Sequence, residues 1–550
     1  METFTRDLGF VNYNELKDLA FVNFNGVTVY ESWKKLVASG VPPITLQKCK
    51  GVDLVDYKIY GNSVQNGTPT PETPIEIKSV GDKTSNELKP SVVRARMEEL
   101  GANQSSIKFH DDGGIQFWGS PINGQSIIEG DFEENTAYTF ILYGRNINSS
   151  AGINTNLTFE YTDGTKLVMA NFSTKNEMTG TTNSYAIRTT DANKTLKRIY
   201  AYPSAGYTIF YPEKSGIFKG AVTLDDYKQY GYEISVKVRG KNLINYKNAR
   251  LRDNYTAGTI DISDDGVVTY NGNYWYSIDV NLKGGKAYVF DCEYENTSDN
   301  NPSWYFCYSD GTRYGVGFGK SINVPDDKEI VRVDIYTVVG TNGANKDTLK
   351  MWNLQLEENS TPTVYEHYVE PITTNIYLNE PLRKAGEYKD YIDFEQQKVI
   401  RELAVYSFKG TESLTLRGSQ PNNGTAFMVS SAIVAKIGTS DNSLCSRFEV
   451  DRAYSRNMTP NTCGFIDTSV SSRFHFCLEG VGKTTTEAKE IIANWYSEGK
   501  PMLVYYPLEN PDDTETIELS ILPTHKGISI IEVDTTIKPS NMEVEYYGKE

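Results

Sequence analysis

The sequence is poor in the residues that most often carry metal or acid–base chemistry. Four histidines serve 550 residues, sparse for a metalloenzyme or a His-based catalyst. The six cysteines (Cys49, Cys292, Cys307, Cys445, Cys463 and Cys477) are widely spread and form no Cys-x-x-Cys pair, the spacing typical of zinc and dithiol sites. They read as free thiols of a chain made in a reducing cytoplasm. No run approaches the ~18 consecutive apolar residues of a membrane span. The opening METFTRDLGFVNYNELKDL lacks the apolar segment of a secretory signal. Membrane insertion is therefore not expected. Basic clusters are missing too: 55 Lys and Arg against 71 Asp and Glu leave a net charge of −16. Phosphate backbones are bound by clustered Lys and Arg, so nucleic acid is not an expected partner.

Hydrophobic residues are also few, 39% of the chain against a usual ~45–50% that counts Gly. Disorder is not the reason, because disordered chains lack aromatics. Here 38 Tyr, 22 Phe and 6 Trp make up 12%. Tyr and Thr suit half-buried pleated surfaces. At roughly 100–200 residues per domain, the length predicts about three to five domains. The composition predicts that they are β-rich, with much exposed surface.

Two stretches of the chain read alike. The first runs HDDGGIQF, AYTF, FEYTDGT, LKRIYAY, TIFYPEKS, and the second SDDGVVTY, AYVF, FCYSDGT, VRVDIYT, NLQLEENS. Order is kept and spacing nearly so. Asp111 to Asp264 is 153 residues, Tyr138 to Tyr288 is 150, and Tyr161 to Tyr308 is 147. Arg198 to Arg332 falls to 134 and Ser215 to Ser360 returns to 145, changes that surface-loop insertions and deletions produce. Asp-Asp-Gly and Asp-Gly-Thr between alternating apolar runs are hairpin signals. About eight short strands per copy fit an antiparallel sandwich or jelly roll.

The expected fold class is mainly β and multidomain, with tandem antiparallel β-sandwich or jelly-roll domains. A small N-terminal helical segment and one helix in the C-terminal domain complete it. Residues 1–45 read as an attachment segment with a short helix burying Trp33, Leu36 and Val37. Residues 46–100 read as a β connector whose Gly67–Pro74 stretch is an extended, semi-rigid spacer. Residues 101–218 and 246–368 are the two sandwiches, joined by connecting strands at 219–245. Residues 369–550 form a C-terminal β-rich domain. Its helix, TTTEAKEIIANWYSEG, opens on a Thr484/Glu487 capping box and stops at Gly499 and Pro501.

Several phrases resemble tail and baseplate-associated proteins of phages infecting Gram-positive bacteria. They are YKIYGNSVQNGTPTPETPIEIKSVGD, VRGKNLI, LQLEENSTPTVYEHYVEPITTNIYLNEPLRKAGEYKDYIDF and EVDTTIKPSNMEVEYYG, and the resemblance covers most of residues 55–550. It implies a virion structural or receptor-binding protein of a tail, fibre or baseplate, with sandwiches like carbohydrate-binding modules. It also implies homo-oligomers, often trimeric, and partners among other virion proteins; residues 1–45 lie outside the resemblance and are the expected point of attachment. It identifies no catalytic residues.

A glycan-binding surface needs flat aromatic rings beside polar hydrogen-bonding groups. The second copy offers Tyr274, Trp275 and Tyr276 in YNGNYWYSID, and Trp304 and Tyr305 in NPSWYF. Alternate strand residues share a face, so Tyr274 and Tyr276 point one way and Trp275 the other. The competing reading is that one ring fills the core and the rest are ordinary half-exposed strand residues. In the first copy Trp118 is the nearest candidate, without an aromatic triplet beside it. Host cell-wall glycans are the expected ligands.

Other motifs have plainer explanations. Gly480-Val-Gly-Lys before the helix looks like a phosphate loop, but Cys477 stands where that motif needs its first glycine. Cys445, Cys463, His475 and Cys477 lack paired zinc spacing. Asp111-Asp112 and Asp264-Asp265 suit turn geometry better than a glycosidase pair. A calcium ion in such loops stays open, and no other cofactor is expected. An enzyme is not expected. The alternatives are a cell-surface polysaccharide depolymerase or glycosidase, or a purely structural adaptor without glycan binding.

Overall fold

The computed structural model describes residues 53–547 with several gaps, together with 23–24, 27–28 and 45–47. The gaps are 102–105, 119–123, 130–131, 147–154, 169–183, 204–207, 253–257, 272–274, 298–301, 337–347, 395, 421, 430–441, 452–456, 468–471, 518–528 and 541. The helix expected around Trp33 lies outside the described residues, as does Tyr274.

Each repeat copy is a sandwich of two antiparallel sheets. In the first copy one sheet runs in the order Ser184–Thr189, Tyr138–Asn146, Thr208–Phe210, Ile115–Phe117, Ile107–Phe109, with Gly216–Lys219 also paired to Tyr138–Asn146. Facing it is Ser126–Glu129, Leu196–Pro203, Thr155–Tyr161, Lys166–Val168. The second copy repeats both orders. One sheet is Ser321–Asn323, Ala287–Asn296, Thr348–Glu357, Val268–Asn271, Thr259–Ile262. The other is Trp275–Lys283, Glu329–Tyr336, Ser303–Tyr308, Arg313–Gly317, with Arg250–Leu251 added at its edge.

The likeness reaches single hydrogen bonds. In the two Asp-Gly-Thr turns the Thr165 and Thr312 amides donate to Asp163 at 2.8 Å and to Asp310 at 2.9 Å. Lys194 pairs with the first carboxylate and Lys328 with the second. Gly164 and Gly311 take φ of +80° and +83°, a left-handed conformation that glycine adopts without a Cβ clash. Apolar residues alternate inward on both sheets. Phe117, Phe140, Phe159 and Ile199 fill the first core, and the helix Pro90–Gly101 closes it with Val93 and Met97. Tyr276, Phe290, Trp304, Phe306 and Val333 fill the second.

The remaining strands form a base in which strands from residues 45–60 pair with strands from residues 529–547. Strand Tyr232–Gly240 is central to one sheet, between Ile372–Leu378 and Ser529–Asp534, with Thr45–Gln47 beyond. A six-stranded sheet joins Asp53–Tyr60 to Tyr391–Asp393 on one side and Met542–Tyr547 on the other. A second five-stranded sheet packs with the helix Thr485–Ser497 around Phe427, Phe448, Phe476 and Ile492.

The connector at 46–100 does not stand off as a free rod. The Ile75 amide donates to the Ser446 carbonyl at 2.8 Å, Gln65 reaches the Cys445 carbonyl at 2.9 Å, and Arg447 bonds the Pro71 carbonyl. Proline keeps this stretch extended, and the extended backbone is used to lie along the C-terminal region. Each sandwich is held on a paired stem. The first leaves at Asp82–Lys83 and returns at Tyr232–Glu233, which pair with each other. The second leaves after Gly240 and returns at Ile372, which pairs with Val238.

Candidate functional site

The sheet Trp275–Lys283, Glu329–Tyr336, Ser303–Tyr308, Arg313–Gly317 has two unlike faces. Inward go Tyr276, Ile278, Trp304, Phe306, Val333 and Ile335, all fully buried. Outward, by strand alternation, go Trp275, Ser277 and Asp279, then Tyr305 and Cys307, then Arg332, Asp334 and Tyr336, then Arg313. Register makes them neighbours. Trp275 lies opposite Tyr336, Ser277 opposite Asp334, and Tyr305 opposite Asp334 from the other side.

Trp275 is the hub of the outward group. Its ring centroid lies 4.6 Å from Tyr336 and 5.0 Å from Tyr305, the latter edge-on. Tyr305 lies across the sheet over Gly315, where an added Cβ would sit 2.2 Å from the ring. Only a residue without a side chain lets the ring settle there. The guanidinium carbons of Arg313 and Arg252 lie 5.0 Å and 5.6 Å from the Trp275 ring centre.

Beneath this group Asp334 is fully buried. It accepts from Ser277 Oγ at 2.7 Å, Cys307 Sγ at 3.0 Å and Arg332 Nε at 2.7 Å. Burial alone raises a carboxyl pKa, but the hydrogen bonds from Cys307, Arg332 and Ser277 outweigh it and hold Asp334 below the ordinary range. Burial, and its role as donor to Asp334, push the Cys307 thiol up to about 12. The thiol therefore stays protonated and serves as a fixed donor, not a nucleophile.

Of the sequence candidates, the structure brings Trp275 and Tyr305 together on this face. Tyr276 and Trp304 are corrected to core: both are 0% exposed, and Trp304 spends its indole N–H on the Gly317 carbonyl at 3.1 Å. Trp118 follows Ile115–Phe117 on the other sheet of the first copy, so it does not join an equivalent face. Positions matching Tyr305 and Asp334 there are Thr158 and Tyr200. Sequence reasoning missed Tyr336, Arg252, Arg313 and the Asp334 hub. The alternation in VRVDIY carried that signal: Arg332, Asp334 and Tyr336 share one face, Val333 and Ile335 the other.

The remaining constellations resolve into structure. Cys445 and Cys463 belong to the phenylalanine-rich core, while Cys477 sits on the opposite face of its sheet with Ala426 and Met458. The sheet itself divides the imagined zinc ligands. Among the described residues no group of three or more His, Cys, Asp or Glu side chains is placed to hold a metal. The Gly480 loop is a turn that ends on the Thr484 helix cap. Asp112 accepts from the Gly114 amide at 3.1 Å and from Tyr211 at 2.9 Å, and Asp265 accepts from Ser263. Asp112 and Asp265 are therefore turn elements.

No family model matches the chain, and no curated protein matches it. Among solved structures, the chain is similar to the N-terminal CBM22-1–CBM22-2 tandem domain of Paenibacillus barcinonensis Xyn10C. The TM-score is 0.22 and the identity 9%, over 46% of this chain and 92% of that one.

Proposed function

We propose that this chain is a non-catalytic structural protein of a phage tail, fibre or baseplate, and that its second sandwich binds cell-surface glycan. The binding half is carried by the Trp275–Tyr305–Tyr336 group, aromatic rings turned outward beside polar side chains on a sheet whose other face is closed core. Rings paired with fixed donors are what a saccharide surface requires. The virion half is supported by the linker phrases quoted above. On this reading the protein forms homo-oligomers, trimers being favoured, and meets other virion proteins through residues 1–45.

Purified host cell wall and soluble glycans, titrated against the full chain with Trp fluorescence and pull-down, test the binding half. Binding that weakens in Trp275→Ala is the expected result. No binding at millimolar sugar, and none to host walls, would sink it. Release of reducing ends from the polysaccharide would favour a depolymerase instead. Light scattering that finds only a stable single chain would overturn the trimer.

A further inference from the structure

The environment of Trp275 is unusual for a platform that stacks on a neutral sugar. Two arginines already lie against the ring, Arg313 at 5.0 Å and Arg252 at 5.6 Å. A guanidinium over an indole is held by the negative face of the ring, and a stacking pyranose would have to displace it. What the arrangement presents is the remaining N–H groups of two oriented guanidiniums, five donors on each side chain.

The charge count points the same way. Among the described residues of this face, Arg250, Arg252, Arg313 and Arg332 stand against Asp279 and Asp334, while Lys283 and Glu329 at its far end lie opposite each other and cancel. Arg250 is committed to Asp279, with contacts of 3.0 Å and 3.2 Å. Arg332 is committed to Asp334 at 2.7 Å. Arg252 and Arg313 approach Asp334 only to 3.6 Å and 3.9 Å, beyond good hydrogen-bond distance. One carboxylate thus faces three guanidiniums, and its shortest hydrogen bonds come from Ser277, Cys307 and Arg332. A surplus of positive charge is left on a chain whose net charge is −16.

We infer that this face selects acidic saccharides, holding a carboxylate or phosphate group of the polymer between Arg252 and Arg313. The inference rests on the reading of this face as a glycan-binding one. Trp275 serves in it as the ring that orients both arginines, and Tyr305 and Tyr336 as apolar contacts for the adjoining sugar. Buried Asp334 is the anchor that keeps the guanidinium ends from splaying.

The test is a titration of the full chain with three polysaccharides: a neutral glucan, a uronate-containing polymer and a phosphodiester-linked glycan polymer. The expected result is binding of an acidic polymer that weakens steeply with salt. Arg252→Gln/Arg313→Gln should then weaken it roughly tenfold or more, the loss of one or two charge-assisted hydrogen bonds, while the circular dichroism of the folded chain is kept. The uronate and phosphodiester arms tell the two acidic groups apart. Salt-insensitive binding of the neutral glucan as tight as that of either acidic polymer, unaffected by the arginine changes, would overturn the inference and leave the glycan-binding reading standing. No binding to any of the three or to host wall would overturn both. Salt dependence of the unaltered chain decides the matter even where a variant fails to fold.

Discussion

A one-residue alternation decides what Trp275 and Trp304 do. Both sit on strands of one sheet, Trp304 facing the core and Trp275 the solvent side. The sequence showed that neighbours such as Trp275 and Tyr276 must part, but not which of them goes inside. That choice depends on which face meets the second sheet, a contact made by residues far along the chain. Trp304→Ala should therefore cost about 3–5 kcal/mol in denaturant unfolding of the second sandwich, the penalty of an emptied core site. Trp275→Ala should cost a fraction of that while weakening the proposed glycan binding. His475 gives a second residue-scale prediction. It is 2% exposed and donates from Nδ1 to the Arg473 carbonyl at 2.9 Å, leaving buried Nε2 without a hydrogen-bond partner. Burial brings its pKa down from 6.5 to about 4, with Arg417 and Arg473 adding repulsion. The folded chain thus resists a proton that the unfolded chain accepts. Its contribution is complete above pH 6.5 and lost as pH falls from 6.5 to about 4, about 3 kcal/mol in all. His475→Gln should remove that loss, so the stability curves of the two proteins should converge or cross as the solution is acidified through this window.

Short-range chemistry made several elements legible. The Thr484/Glu487 capping box forms as read: the Glu487 amide donates to Thr484 Oγ1 at 3.2 Å, and the Thr484 amide to the Glu487 carboxylate at 2.7 Å. Thr484→Ala should lower thermal stability by about 1 kcal/mol, with the helix-packed region melting first. The Asp-Gly-Thr turns were legible for the same reason, since a side chain caps an amide two residues on. The Pro-rich connector was legible only in its backbone. Its extended shape follows from proline, but its docking partner, Arg447, lies 376 residues from Pro71. The stem glycine is likewise a long-range feature. Gly231 has φ of +120° and its missing Cβ would stand 2.1 Å from the Leu378 carbonyl oxygen. Gly231→Ala should destabilise the base by at least about 1–3 kcal/mol, measured as a lower melting temperature with the sandwich transitions little changed.

At the scale of the molecule, the repeat was readable because the two copies carry the same phrases in the same order. The nesting was not, because it is written in pairings between distant strands. Asn62 reaches the Lys538 carbonyl at 3.1 Å across 476 residues, and Asp53–Tyr60 pairs with Met542–Tyr547. A linear string of modules was the simplest expectation, yet the base closes on itself and the sandwiches are insertions into it. This topology accounts for the low hydrophobic fraction, since each inserted sandwich keeps its own core and exposes much of its outer surface. It also makes a prediction that a string of modules does not. Val238 and Ile372 are directly paired, so the chain can be rejoined there by a short turn without moving either strand. Replacing residues 241–369 by a two-residue Asn-Gly turn, which keeps the Val238–Ile372 register, should leave the base and first sandwich folded, with one melting transition lost and the proposed glycan binding abolished. Deleting residues 529–550 should do the reverse. It strips partners from strand Tyr232–Gly240 and strand Asp53–Tyr60, so the base should unfold while both sandwiches keep their cooperative melts. If the first deletion instead unfolds the whole chain, the second sandwich is part of the base's core and the insertion picture fails.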